Sequence, residues 1–177
     1  SSEEKLFERG IKHVRINMAS FHVISESICD EYMSYISEYN INPDNIIFEL
    51  FINEDVPEDV LSRGIAYLRK RGLHVCWDQF GTNACNLKNL MEMPFDCVKI
   101  NNMVVSMYCN EKSTQLIYII RMFRERGWIV CLDGVRYPDG FEMVKKMDVD
   151  YIQGRELMKF VPEDKIREFL LKKGGIL

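Results

Sequence analysis

Asn17, Glu49, Asp78, Lys99, Asp133 and Gln153 each close a short apolar run. The runs are Val14-Arg15-Ile16-Asn17, Ile46-Ile47-Phe48-Glu49, His74-Val75-Cys76-Trp77-Asp78, Cys97-Val98-Lys99, Ile129-Val130-Cys131-Leu132-Asp133 and Tyr151-Ile152-Gln153. Such residue types do chemistry together only if they meet. In a β/α barrel, strand ends of this kind converge on one mouth, where the six could share a single site. Each alone has a plainer reading: a loop hydrogen-bonder, a capping or salt-bridged carboxylate at Glu49 or Asp78, a solvated charge at Lys99. Only the ordered set raises them above that reading.

Other chemistries find little support. No Gly-rich phosphate loop and no G-x-S-x-G elbow is present, which argues against an ATPase or a serine hydrolase. The six cysteines, Cys29, Cys76, Cys85, Cys97, Cys109 and Cys131, include no C-x-x-C pair. Cys76, Cys97 and Cys131 fall inside predicted strands as small apolar groups of a reduced core. Cys85 and Cys109 lie nearer loops, beside nothing that would activate a thiol. His13, His22 and His74 share no spacing and read as structural.

The elements that must position the six residues alternate. A helix is expected over 3–12, before the first strand. Ser20 is an expected N-cap for an amphipathic helix from Phe21 to Tyr39. Asn42-Pro43-Asp44 marks a turn. Pro57 is expected at the first position of a helix reaching Arg71 and stopped by Gly72. Further helices are expected over Ala84–Met93, Glu111–Arg126 with Gly127 as its cap, Phe141–Met147 and Pro162–Lys173. Strands alternating with helices imply a parallel α/β sheet with functional loops at the carboxyl ends of its strands. A barrel and a doubly wound open sheet share this pattern.

The chain of 177 residues, 47% of them hydrophobic, suits one domain with a full core. A β/α barrel uses roughly 31 residues per unit, so about six units fit, not eight. Lys and Arg number 23 against 27 Asp and Glu, a formal net charge of -4, which argues against nucleic-acid binding. No apolar stretch approaches the ~20 residues of a membrane span, and the first residues are too polar for a signal peptide. A cytoplasmic location without membrane insertion is the expectation.

The ordered set Arg15-Ile16-Asn17-Met18-Ala19-Ser20, Phe48-Glu49-Leu50, Asp78-Gln79-Phe80-Gly81-Thr82, Val98-Lys99-Ile100-Asn101, Asp133-Gly134-Val135 and Gln153-Gly154 resembles the motifs of the EAL domain family. Members of that family hydrolyse the bacterial second messenger cyclic di-GMP. Their pattern reads N-x-S, E-L-T-E, D-D-F-G-T-G, K-I-D, A-E-G-V-E and Q-G. The resemblance implies two divalent cations beside a phosphodiester and a metal-bound water that attacks phosphorus. It places Asn17, Glu49 and Asp78 at metal-ligand positions. Lys99 and Asp133 fall at catalytic positions, and Gln153, Gln79 and Arg136 at ligand-binding ones.

Several positions depart from that pattern. Gln79 stands for the second aspartate, Asp133 for a glutamate, Asn101 for the aspartate of K-I-D, and Arg136 reverses the charge of the last glutamate. Asn83-Ala84-Cys85-Asn86 replaces the Gly-Tyr-Ser-Ser loop that in the family couples metal binding to dimerisation. The signature glutamate and the substrate-binding arginine after it are expected upstream of residue 1, and Glu4-Lys5-Leu6 is a chance match. Glu49, Asp78 and Asp133 then face Lys99 and Arg136, enough for one Mg²⁺ or Mn²⁺ but not for a poised pair.

The expected fold is thus α/β, an incomplete EAL-type (TIM-like) β/α barrel of about six βα units, with residues 1–177 as a single domain. The expected function is a catalytically inactive regulatory or protein-interaction module of cyclic di-GMP signalling, with vestigial site residues. The rivals are a phosphodiesterase completed by an upstream segment, and a receptor that binds cyclic di-GMP without cutting it. Expected partners are weakly bound cyclic di-GMP or none, and a second copy, another protein or an upstream signalling domain covering the exposed edge strands.

Overall fold

Five of the apolar runs are rich in Val, Ile, Phe or Cys, and they form strands that bury one or both faces. A computed structural model describes residues 11–52, 56–82, 87–111, 113–135 and 138–154, with positions 161, 162, 165 and 168. The strands are β1 (Val14–Met18), β2 (Ile46–Leu50), β3 (His74–Phe80), β4 (Cys97–Ile100), β5 (Ile129–Leu132) and β6 (Tyr151–Ile152). All pair in parallel in sequence order, so the sheet reads β1-β2-β3-β4-β5-β6. Every residue of β2 and of β4 is buried, as expected of strands covered on both sides.

Alternation along the strands divides the interior into two cores. Outward residues such as Phe48, Leu50, Val75, Trp77, Val98, Ile100, Val130 and Leu132 pack with the helices. Inward residues Ile47, Cys76 and Cys97, with Ile129 against them, form a separate small core inside the curled sheet. The curl brings the edge strands together at their bases, where the His13 ring and the Tyr151 hydroxyl hydrogen-bond at 2.5 Å. The arrangement is a half-barrel with helices outside it.

The helices are α1 (Ser20–Val23), α2 (Glu26–Glu38), α3 (Glu58–Lys70), α4 (Leu87–Glu92), α5 (Asn102–Glu111), α6 (Gln115–Glu125) and α7 (Pro138–Val144). The single helix expected over Phe21–Tyr39 is broken at Ser25, whose φ of -101° and ψ of 107° are extended. The break follows a close approach: a Cβ on Gly64 would collide with the Val23 carbonyl, so α1 ends where it meets α3. Ser20 is not an N-cap. Ala19 holds that place, and the Ser20 hydroxyl donates to the Phe51 carbonyl at 2.7 Å, tying α1 to the loop after β2.

Pro57 is the N-cap of α3 and not its first residue; Gly72 (φ +87°) follows the helix as expected. Gly127 (φ +72°) likewise follows α6. The helix expected over Glu111–Arg126 begins at Gln115, preceded by the unanticipated α5. Asn101 starts α5: its side-chain oxygen accepts from the Met103 N–H at 2.8 Å. The short helix near Phe141 runs over Pro138–Val144. Of the segment 3–12, residues 11 and 12 are not helical and residues 3–10 lie outside the described residues. So do Cys85, Arg136 and most of Pro162–Lys173.

His74, at the base of β3, ties three strands together. Its Nδ1 meets Asp96 Oδ2 at 2.6 Å and its Nε2 meets Asp44 Oδ1 at 3.1 Å. The hydrogen bond to Asp96 raises its pKa above 6.5, against the opposing effect of burial. A raised folded value means that the stabilisation is complete below the unfolded value and is lost as the pH climbs through the folded one. The stability gap between the native chain and His74→Gln is therefore expected to be widest below pH 6.5 and to shrink as the pH rises above it in urea titrations. A gap independent of pH would contradict this. Gly64→Ala is expected to destabilise by about 1–3 kcal/mol in the same assay, whereas Ala for Gly in an unobstructed helix stabilises.

Candidate functional site

Parallel pairing in register places the strand ends side by side. Asn17 lies opposite Glu49, Glu49 opposite Cys76, and Lys99 opposite Cys131. Asp133 follows β5 with its N–H on the Ile100 carbonyl at 3.0 Å, and the Gln153 N–H bonds the Leu132 carbonyl at 2.8 Å. All six residues read from the sequence thus stand at the carboxyl end of the sheet. They are not equally engaged: Glu49 and Lys99 are 5% and 8% exposed, whereas Asn17 and Gln153 face solvent.

β3 carries a bulge at the mouth. Its register with β4 shifts between Trp77 and Phe80, and Gln79 takes a left-handed backbone (φ +61°). Trp77 and Phe80 therefore both point into the outer core, their rings 5.3 Å apart, and Asp78 and Gln79 both occupy the turn between them. The Gln79 side-chain oxygen accepts from Asn101 Nδ2 at 2.7 Å. Two of the positions that depart from the family pattern thus satisfy each other as a neutral amide pair.

A close contact in the mouth involves a residue that sequence reasoning passed over. Arg15 lies two residues before Asn17 on the inward face of β1, and its Nε donates to Glu49 Oε1 at 2.5 Å. From the other side Lys99 Nζ donates to Glu49 Oε2 at 2.8 Å and lies 3.6 Å from Asp78 Oδ1. Burial by itself would raise the Glu49 pKa, but hydrogen bonds from Lys99 and Arg15 override it and hold the carboxyl below its usual range. Burial raises Asp78, with Lys99 opposing and Glu49 adding to the rise. Lys99 stays charged above its usual value because Glu49 outweighs desolvation. The period-two spacing of Arg15 and Asn17 was the available signal, since it puts both on one face.

The sequence model of the EAL domain family matches residues 3–159. The chain belongs to the EAL domain family. It is 26% identical over 153 residues to the probable cyclic di-GMP phosphodiesterase PdeB of Escherichia coli K12, covering 86% of this chain and 29% of that protein. The chain spans about a third of the length of the curated relatives it matches. Among solved structures, the EAL domain of Mycobacterium smegmatis DcpA superposes with a TM-score of 0.85 at 18% identity, covering 97% of this chain and 78% of that one. The Klebsiella pneumoniae BlrP1 manganese and cyclic di-GMP complex superposes at 0.75 with 18% identity, covering 86% and 40%.

The BlrP1 complex contains manganese; in this EAL domain the Glu49 carboxylate that could meet such an ion is already engaged. Both Glu49 oxygens already hold a cation of the protein's own. At ~4 Å and an effective dielectric near 20, two unit charges interact by about 4 kcal/mol, so an incoming ion must displace a partner of that order. Among the described residues, no three His, Cys, Asp or Glu side chains group so as to hold a metal. The count of three carboxylates, which left room for one ion, omitted Arg15. If Glu49 anchors the mouth as described, Glu49→Ala strands two buried cations and is expected to cost about 3–5 kcal/mol. Glu49→Gln, which keeps an acceptor, is expected to cost less. Equal and small losses for both in urea unfolding would contradict this.

Proposed function

We propose that this EAL domain is catalytically inactive and serves cyclic di-GMP signalling as a regulatory or protein-interaction module. The observation that carries the reading is the 2.7 Å bond between Gln79 and Asn101. In the family pattern both positions are aspartates, which together would present negative charge to a metal. Here they are neutral and consume each other's hydrogen-bonding capacity. Asn17, Glu49 and Asp78 then persist as vestigial metal-ligand positions. Lys99 and Asp133 persist as catalytic positions without the ions they would serve, and Gln153 and Arg136 as ligand-side positions.

The charge balance supports the same reading. Glu49, Asp78 and Asp133 are offset by Lys99 and Arg15, leaving roughly one net negative charge where two divalent ions would need several carboxylates. A single Mg²⁺ or Mn²⁺ has only Asp78 and Asp133 without a strong internal partner among these three. Cyclic di-GMP is accordingly a weak ligand or none. The working partner is a second copy, another protein or an adjoining signalling domain. No helix among the described residues is long and apolar enough to cross a membrane.

The test is incubation of the purified chain with cyclic di-GMP and either Mg²⁺ or Mn²⁺, with chromatography for the linear dinucleotide and parallel calorimetry for binding. No linear product is expected with either ion. Turnover at an enzyme-like rate would overturn the reading, and tight binding without turnover would replace it with the receptor alternative.

A further inference from the structure

We propose that Arg15 is a built-in cation that occupies the Glu49 oxygen a divalent ion would need, and that it helps to keep the mouth closed to metal. The proposal rests on the reading of an inactive site and names the residue that enforces it. Lys99 stands at the lysine of the family's K-I-D pattern. Arg15 precedes the asparagine at which the family's N-x-S pattern begins, and it reaches Glu49 from the floor of the half-barrel.

Three observations show how the guanidinium is fixed there. Its Nη2 donates to the thiols of Cys76 (3.2 Å) and Cys97 (3.7 Å), which face each other in register across β3 and β4. Its cationic carbon lies 5.7 Å from the centre of the Tyr151 ring, a favourable side for a cation. Its side chain is only 18% exposed, among the inward apolar groups Ile47, Cys76, Cys97 and Ile129. A planar fork held at its base by thiols and ring can point Nε at one carboxylate oxygen with little freedom to leave.

The fit is nonetheless incomplete in a telling way. Arg15 Nη1 is buried with no hydrogen-bond partner among the described residues. An orphaned buried donor is a standing cost, and the thiols do not require the arginine, since free cysteine packs well as an apolar group. Glu49 would keep Lys99 if Arg15 were removed. An apolar side chain of similar length is therefore expected to be tolerated at position 15, leaving Oε1 of Glu49 open. One or two carboxylates with waters suffice for one divalent ion.

The experiment is manganese titration of the full chain followed by the electron paramagnetic resonance of free Mn²⁺, on the native protein, Arg15→Met, Arg15→Ser and the double variant Arg15→Met with Glu49→Gln, each checked by thermal melting. The folded Arg15 variants are expected to bind one Mn²⁺ at least roughly tenfold more tightly than the native chain, and Glu49→Gln to abolish the gain. Folded variants that bind no better than the native chain would overturn the role of Arg15, as would a gain that survives Glu49→Gln. Collapse of both single variants would also overturn it, because it would make Arg15 a structural necessity. None of these outcomes touches the reading of inactivity, which fails separately if the native chain hydrolyses cyclic di-GMP.

Discussion

The carboxylate of Glu49 sits between two cations that the half-barrel itself supplies, and much of the mouth is arranged around that fact. β2 is buried along its whole length, so an ionised side chain at its carboxyl end must be paired. Lys99 arrives from β4, two strands away, and Arg15 from β1 on the other side. The three charged groups thereby link β1, β2 and β4. A buried ion pair of this kind adds little net stability over apolar packing, but breaking it is costly. Its effect is to fix which groups at the mouth are free to meet a ligand.

The rest of the mouth is held by local hydrogen bonds. The bulge at Asp78 and Gln79 holds a left-handed non-glycine residue, a conformation with a modest intrinsic cost. It is stabilised locally: Asp78 accepts the Gln79 N–H at 2.9 Å, and the Thr82 hydroxyl donates to the Gln79 carbonyl at 3.0 Å. Asn101 serves twice, pairing with Gln79 and starting α5 through Met103. The bulge and the Gln79–Asn101 pair thus hold the backbone of the mouth together.

Much of the fold was legible because parallel strands buried on both faces read as plain apolar runs, and all six proved to be strands. The gathering of the six polar residues at their ends was legible for the same reason, since each run stops where the chain reaches the mouth. The helices were less so. The break at Ser25 depends on the Val23 carbonyl meeting Gly64 some forty residues on, which periodicity within one segment cannot register. α5 was missed because its exposed Met103 and Met107 blur the amphipathic pattern, although Asn101 was available as a starting signal. Arg15 was the most consequential omission. Its partners Glu49, Cys76, Cys97 and Tyr151 are scattered through the chain, and only the curl of the sheet assembles them.

Crystals of the native chain soaked in manganese chloride, with diffraction collected at the manganese edge, address the charge balance of the mouth most directly. Anomalous maps free of paired peaks, with the Arg15 guanidinium seated on Glu49, are the predicted result. Two neighbouring, fully occupied manganese ions bridged by Glu49 and Asp78, with Arg15 swung away, would contradict it.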